Sequence, residues 1–481
     1  RGILSFPAFS PISSFNQSLE KAQYTLKVPK EMKTDYKANG IGKPIQHEEK
    51  DAVISQWNLT AIKALEHEPF GPSIGQLVPC LYVQPMDFVY DKYAGNQSTW
   101  ENLSAWHHSL LIGRDVLTPE LQAQIKSLVK DTDSNYEKVK KLYTYLGENM
   151  RYVSIQLGIG GLQPMKASET ARMGFGDCKA LSYYLKVMLA QVGIESEYVV
   201  ISTTHSKLYD NYPNVQQMNH VILKVPLKER TLWLECTNPF IPFGYIHESI
   251  AGHDALIVRP NGGGLERLPY YADSLHIQTY RVEVDLTDSS QTNAQVTCTS
   301  HLSQYESTSI LLRKKPEDRK DIIRRKLNLT RAIVDKIDIF ETQDSFPTLV
   351  EHYNIKSMYG NKNGNRFFLP VNPFRQEPFR LSEHERSQQI VMSYGYVDRD
   401  TIIVNIPNNY VIETKPKDMK MSCSFGQISS RIQIQENKMI IIQELRRYKG
   451  IYPPEKIKEL IIFSEAIRKA YNAKVILKKK D

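Results

Sequence analysis

The stretch Gly174–Ile194, "GFGDCKALSYYLKVMLAQVGI", sets two glycines, an aspartate and a cysteine directly before an apolar-periodic run. Ala180, Leu181, Tyr184, Leu185, Met188, Leu189 and Val192 recur at helical spacing, which predicts a buried helix over about 179–192 with Cys178 in its first turn. The first turn of a helix leaves backbone N–H groups unpaired, and the aligned peptide dipoles put partial positive charge there. A thiol at that position is pushed toward the thiolate from its usual value of about 8.5. Gly174 and Gly176 let the preceding loop approach the helix closely. Cys178 is therefore either a small core residue that opens a helix or a rigidly held nucleophile, and this stretch alone does not choose.

A nucleophilic cysteine needs a base and a group to orient it. Two runs downstream supply candidates. "NHVILKV" (Asn219–Val225) puts His220 on the face of Ile222, and "TLWLECT" (Thr231–Thr237) puts Trp233, Glu235 and Thr237 on one face. If the two runs form a hairpin closed around Leu227-Lys228, His220 lies opposite Glu235, with Cβ atoms roughly 4.5–5.5 Å apart. A slip of one residue would put them on opposite faces.

Outward from this centre, Thr118-Pro119 reads as a helix start, and Asp131-Thr132-Asp133 as a second one leading into a helix that Gly147 would end. Strands are expected at "EYVVIST", "NHVILKV", "TLWLECT" and "ALIVRP", an α+β order and not an alternating parallel one. Residues 1–112 read as mostly β with loops. From about 275 the chain is β-rich again, with a helix from Pro316 to about Leu329, a loop or hairpin tip at Met358–Phe368, and a late amphipathic helix through Ile457, Leu460, Ile461, Ile467 and Tyr471. Pro260–Pro269, "PNGGGLERLP", leads into no phosphate-binding lysine and reads as a linker. The expected organisation is three domains: a β-rich domain at 1–112, incomplete because the chain starts abruptly at Arg1, an α+β domain at 118–265, and a β-rich domain with a late helix at 275–481.

Bulk composition narrows the function. The 481 residues carry a formal charge of +8, and the basic runs, such as Arg313-Lys314-Lys315 and Arg324-Arg325-Lys326, lack interleaved aromatics, which argues against nucleic acid. Five cysteines at wide spacing, with no CxxC, argue against a disulfide framework or a zinc ribbon. No stretch reaches the length of a membrane span. His107-His108 follows Trp106 in what reads as a loop, and adjacent histidines in extended chain face opposite ways. His247 and His253 have no carboxylate or cysteine at ligand spacing and read as surface or loop. Cys236 falls on the face opposite Glu235 and reads as a core thiol.

"GFGDCKALSYYLKVMLAQVGIESEYVVIS", followed by "MNHVILKV" and "TLWLECTNPFIPFGYI", resembles the transglutaminase-like superfamily. "RYVSIQLGIGGLQP" (Arg151–Pro164) is similar to the segment before the nucleophile in its bacterial cell-envelope subgroup, where that domain lies between β-rich domains. The resemblance is best over 118–260 and thins past 275. It implies a papain-like α+β fold flanked by β-rich, sandwich-like domains. Cys178 would be the nucleophile, His220 the base and acid, and Glu235 the orienter where the family usually has aspartate. Ala180 stands where the family tends to have an acidic residue. The Cys178 backbone N–H, Gln156, Gly176 and Asp177 would serve the oxyanion or the substrate. The implied reaction attacks peptide or protein amides through a thioester, without metal or organic cofactor. Substrates would be peptides or proteins, a cell-envelope polymer among them, and the location periplasmic or in the cell envelope. The alternative, suggested by Glu235 and Ala180, is an inactive envelope scaffold whose β-domains bind protein or glycan.

Overall fold

The computed structural model describes residues 3–287, 291–376, 378, 380, 381 and 385–480. These fall into two compact units, one built from residues up to His67 together with Ser73–Tyr270, the other from Glu68–Pro72 together with Tyr271 onward. The chain is multidomain and mixed α+β, with a β-rich C-terminal region.

The first unit opens with long antiparallel strands. Leu19–Pro29 and Ile45–Glu48 flank Ala52–Ile62, and Thr34–Asn39 pairs with Cys80–Pro85. Leu26, Val28, Trp57, Leu81 and Val83 form the small core of this part. The Trp100 to His108 stretch is a helix, Trp100–Ser109, capped by Thr99 accepting from the Asn102 N–H at 3.2 Å. The loop expected at His107-His108 is therefore corrected. The cap and the packing of Trp100, Leu103 and Trp106 into one core make the segment helical.

Helix Pro119–Ser127 begins where the Thr118-Pro119 signal places it. The next helix, Asn135–Asn149, starts later than expected. Ser134 and Glu137 form a reciprocal capping box that outcompetes Asp131–Asp133. Gly147 lies within this helix and does not end it, because tertiary packing outweighs the roughly 1 kcal/mol helix penalty of one glycine. Cys178–Gln191 is the central helix. It is apolar on almost every side, with Ala180, Leu181, Tyr184, Leu185, Met188 and Leu189 at 2% exposure or less, as expected of a helix wrapped by protein.

A five-stranded antiparallel sheet packs against it in the order Thr231–Leu234, His220–Pro226, Glu197–Ile201, Asp254–Val258, Leu265–Arg267. The last of these strands occupies the segment expected to be a linker. Gly263 and Arg259 both donate backbone N–H groups to Ser104 Oγ, which anchors that turn to the Trp100–Ser109 helix.

The second unit is built on an eight-stranded sheet. Its order is Thr330–Thr342, Thr348–Met358, Gln291–His301, Ile277–Leu286, Tyr396–Asn405, Lys438–Arg447, Gly426–Gln435, Met419–Cys423. Pairing is antiparallel except between Ile277–Leu286 and Tyr396–Asn405. Met358–Phe368 contains a hairpin, Asn361–Asn363 against Arg366–Pro370, turning at Gly364 with φ of +60°. The helix opened at Pro316 stops at Arg325, and the late helix spans Ile457–Asn472. A final strand, Lys474–Lys479, pairs with Arg366–Pro370 and was not visible in the sequence. Within this unit Arg375 is buried over the Tyr280 ring, at 4.4 Å to its centroid. It pairs with Asp398 at 3.1 Å and Asp400 at 2.8 Å.

Candidate active site

Cys178 is the first residue of its helix, and Asp177 is the N-cap. One Asp177 carboxylate oxygen accepts from the Ala180 N–H at 3.0 Å, and the other pairs with Lys179. Both charged side chains are buried, and the Lys179 ammonium also reaches the Ile155 carbonyl at 3.5 Å. Gly174 ends the preceding helix in the left-handed conformation at φ of +67°. Gly176 is needed for space, since a Cβ there would stand 2.7 Å from the Ala180 Cβ. Ala180 is fully buried at that contact.

His220 opens the strand next to the Glu235 strand, but the hairpin register differs from the one expected. Pro226 pairs with Thr231 and Leu223 with Leu234. A four-residue turn is closed by the Leu227 N–H donating to the Arg230 carbonyl at 3.0 Å. Closure therefore lies between Lys228 and Glu229, two residues from the expected pairing. Side chains alternate with period two, so an even displacement keeps His220 and Glu235 on one face. Continuing the register would set His220 level with Thr237, which makes Glu235 its diagonal neighbour.

From that position Glu235 Oε2 sits 2.7 Å from His220 Nε2, with side-chain exposures of 4% and 15%. Its other oxygen accepts from the Thr237 N–H at 2.8 Å and the Thr237 hydroxyl at 2.5 Å. The Tyr143 hydroxyl donates to the Glu235 carbonyl at 2.7 Å, fixing the backbone as well. His247 Nε2 is a second neighbour of Glu235 Oε2, at 3.4 Å. His220 Nε2 is committed to Glu235, and His220 and Cys178 line the same cleft.

Electrostatics follow from these contacts. Burial works against a charged His220, but hydrogen bonds to Cys178 and Glu235 and the charge of Glu235 outweigh it, raising the imidazole to about 10. Burial likewise opposes the Glu235 carboxylate, yet its bonds to His220, His247 and Thr237 hold it well below the usual carboxylate range. The arrangement favours an imidazolium beside a carboxylate. Cys236 behaves differently: its thiol is buried in the core cluster and pushed far up by desolvation.

Cys178 and His220 line a cleft of about 440 Å³, with Leu162, Val200, Val215 and Met218 among its apolar walls. Gln156 lines it too, from an exposed loop. Gly176 and Asp177 do not reach the cleft; they shape the start of the helix from beneath. Sequence reading missed His247, Thr237, Lys179, His107 and Tyr198. Thr237 was placed on the right face without a role, and a lysine between a cysteine and an apolar run was a signal for a buried pair. For His247 the irregular chain around it carried no period to read.

Residues 122–237 match the model of the Transglutaminase-like superfamily, and residues 365–477 match a domain of unknown function known from solved structures. No curated protein matches the chain. The chain is similar to the crystal structure of a "putative protease" from Parabacteroides distasonis, with a TM-score of 0.58 and 12% identity, covering 98% of this chain and 75% of that one. At that identity the likeness speaks for the fold. Among the described residues no helix is long and apolar enough to cross a membrane.

Proposed function

We propose that this chain, with a transglutaminase-like domain at 122–237, is a cysteine enzyme acting on peptide or protein amide bonds. The observation that carries the reading is the 2.7 Å contact of Glu235 with His220, which lines one cleft together with Cys178. The Cys178 thiolate attacks the amide carbonyl, and the backbone N–H at the helix start stabilises the oxyanion. His220, carrying the thiol proton, gives it to the departing amine as the C–N bond breaks, and a thioester remains on Cys178. His220 then takes a proton from water, or from an amine acceptor, as that nucleophile displaces the thiolate.

The two departures that favoured an inactive scaffold both sit in ordered contacts. The extra methylene of Glu235 is absorbed by its diagonal position, and Ala180 is buried against Gly176. A cell-envelope location and a polymeric substrate belong to this proposal and rest on the subgroup resemblance, as does the assignment of 1–112 and 275–481 as flanking β-rich domains.

Incubation with p-nitrophenyl acetate, followed by mass spectrometry of the Cys178 peptide, tests the reading. An acetyl adduct is expected that is released by water or by glycine ethyl ester, with release slowed at least about 100-fold in His220→Ala. An adduct that forms and decays equally in both proteins would sink it.

A further inference from the structure

The apolar wall of the Cys178 cleft is assembled from three separate stretches of chain. Leu162 follows the short turn Gly158–Gly161, and Val215 and Met218 open and close another, Val215–Gln217. Leu4 comes from the extended stretch at residues 4–9, far from the others in sequence. That stretch is firmly held. The Leu4 carbonyl accepts from Gln97 Nε2 at 2.8 Å, Ser5 Oγ accepts from Asn214 Nδ2 at 3.0 Å, and the Phe6 N–H donates to the Val83 carbonyl at 2.9 Å. Phe9 and Leu81 exchange backbone hydrogen bonds of 2.9 Å in both directions. Asn214 is buried, and its Oδ1 accepts from the Gln216 N–H at 2.7 Å. One buried amide therefore ties the stretch that carries Leu4 to the turn that carries Val215 and Met218. The Leu4 side chain packs at the edge of the core those two residues belong to.

What this wall offers a substrate is carbon. Leu4 and Leu162 are half-buried, so part of each side chain is open to the cleft they line. Gln156 and Gln216 are exposed and keep their water. His107 Nε2 and the Tyr198 hydroxyl are closed off from solvent and answer no polar group placed in the cleft. Lys179 is paired with Asp177, which leaves His220 as the charged group that meets a substrate, itself held by Glu235. An aliphatic side chain gains by leaving water for this wall. An amide of the same size gives up its water without a partner. A carboxylate would go to His220 and hold the proton that the departing amine needs.

We propose that Leu4 is a specificity-determining residue: with Leu162, Val215 and Met218 it forms a pocket for an aliphatic side chain on the residue whose carbonyl Cys178 attacks. This rests on the acyl-transfer reading and adds the substrate class to it.

The test uses the intact chain and acetyl-glycyl acyloxymethyl ketones whose residue next to the ketone is leucine, asparagine or aspartate, side chains of near-equal size. The Cys178 thiolate bonds to the methylene carbon as the C–O bond breaks and a carboxylate leaves. The second-order rate at the Cys178 peptide is expected to be about tenfold or more higher for leucine than for asparagine or aspartate. Leu4→Ala removes part of the wall and should cut the leucine rate by roughly threefold or more, with little change in the other two. Leu4→Met, which keeps the volume and the carbon surface, should retain the leucine preference. Equal rates for the three probes, still dependent on His220, would overturn the pocket and leave the acyl-transfer reading standing. A preference for aspartate would also overturn it, because the charge of His220 would then be what reads the side chain. So would three rates that move together in Leu4→Ala, the mark of a residue that supports or occludes the cleft without selecting. Rates indifferent both to the side chain and to His220→Ala would overturn both readings.

Discussion

Glu235 Oε2 lies 2.7 Å from His220 Nε2 although their strands set the two residues one diagonal step apart and not directly opposite. An aspartate at position 235 would fall one methylene short across this diagonal; glutamate spans it. The contact is buried, so removing one partner strands a desolvated charge and costs more than breaking a surface pair.

This pair gives a pH signature. His220 is raised from 6.5 to about 10, so its stabilising contribution is complete below pH 6.5 and is lost as pH rises through about 10. Glu235 is lowered from 4.5, so its contribution is complete above pH 4.5 and is lost as pH falls below it. The stability gap between the parent and Glu235→Gln is therefore expected to be widest between pH 4.5 and 6.5 and to shrink on either side. Urea unfolding of both proteins across pH 3–10 checks it; a gap that grows steadily with pH contradicts the pairing.

Gly176→Ala tests the helix start. The added methyl would stand 2.7 Å from the Ala180 Cβ inside a packed core, so a loss of about 1–3 kcal/mol is expected. The double variant Gly176→Ala with Ala180→Gly should recover part of that loss, whereas a purely backbone effect would not be rescued. Thermal unfolding of the three proteins distinguishes these cases.

In the second unit, Arg375 sits between Asp398 and Asp400 and over Tyr280. Asn372 donates to Asp400 at 2.7 Å and to Gln443 at 2.8 Å, extending the polar cluster across neighbouring strands. Arg375→Ala strands two buried carboxylates, and a loss of roughly 3–5 kcal/mol is expected in denaturant unfolding. A loss under about 1 kcal/mol would mean that the cluster is not a cornerstone of that unit.

The central helix and the shared face of His220 and Glu235 were legible because they rest on period and parity. Apolar spacing marked the helix from Ala180 to Val192, and strand alternation carried His220 and Glu235 to one side even though the turn was misjudged by two residues. The register itself was not legible: "PLKER" has no Asn-Gly or Gly-X pair to fix a turn type, so a four-residue turn looked no different from a two-residue one. His107 was hidden because a short helix rich in Trp and His has weak periodicity, and only its tertiary contacts make it helical. His247 reaches Glu235 from irregular chain, where spacing says nothing about distance.

The central claim is that His220 and Cys178 act as one unit. The most direct measurement is the rate of Cys178 alkylation by iodoacetamide against pH, read at the Cys178 peptide by mass spectrometry, in the parent and in His220→Ala. The account predicts that the parent's pH profile departs from that of His220→Ala, with faster alkylation in the parent at neutral pH. A parent profile that already follows an ordinary thiol, unchanged in His220→Ala, would contradict it.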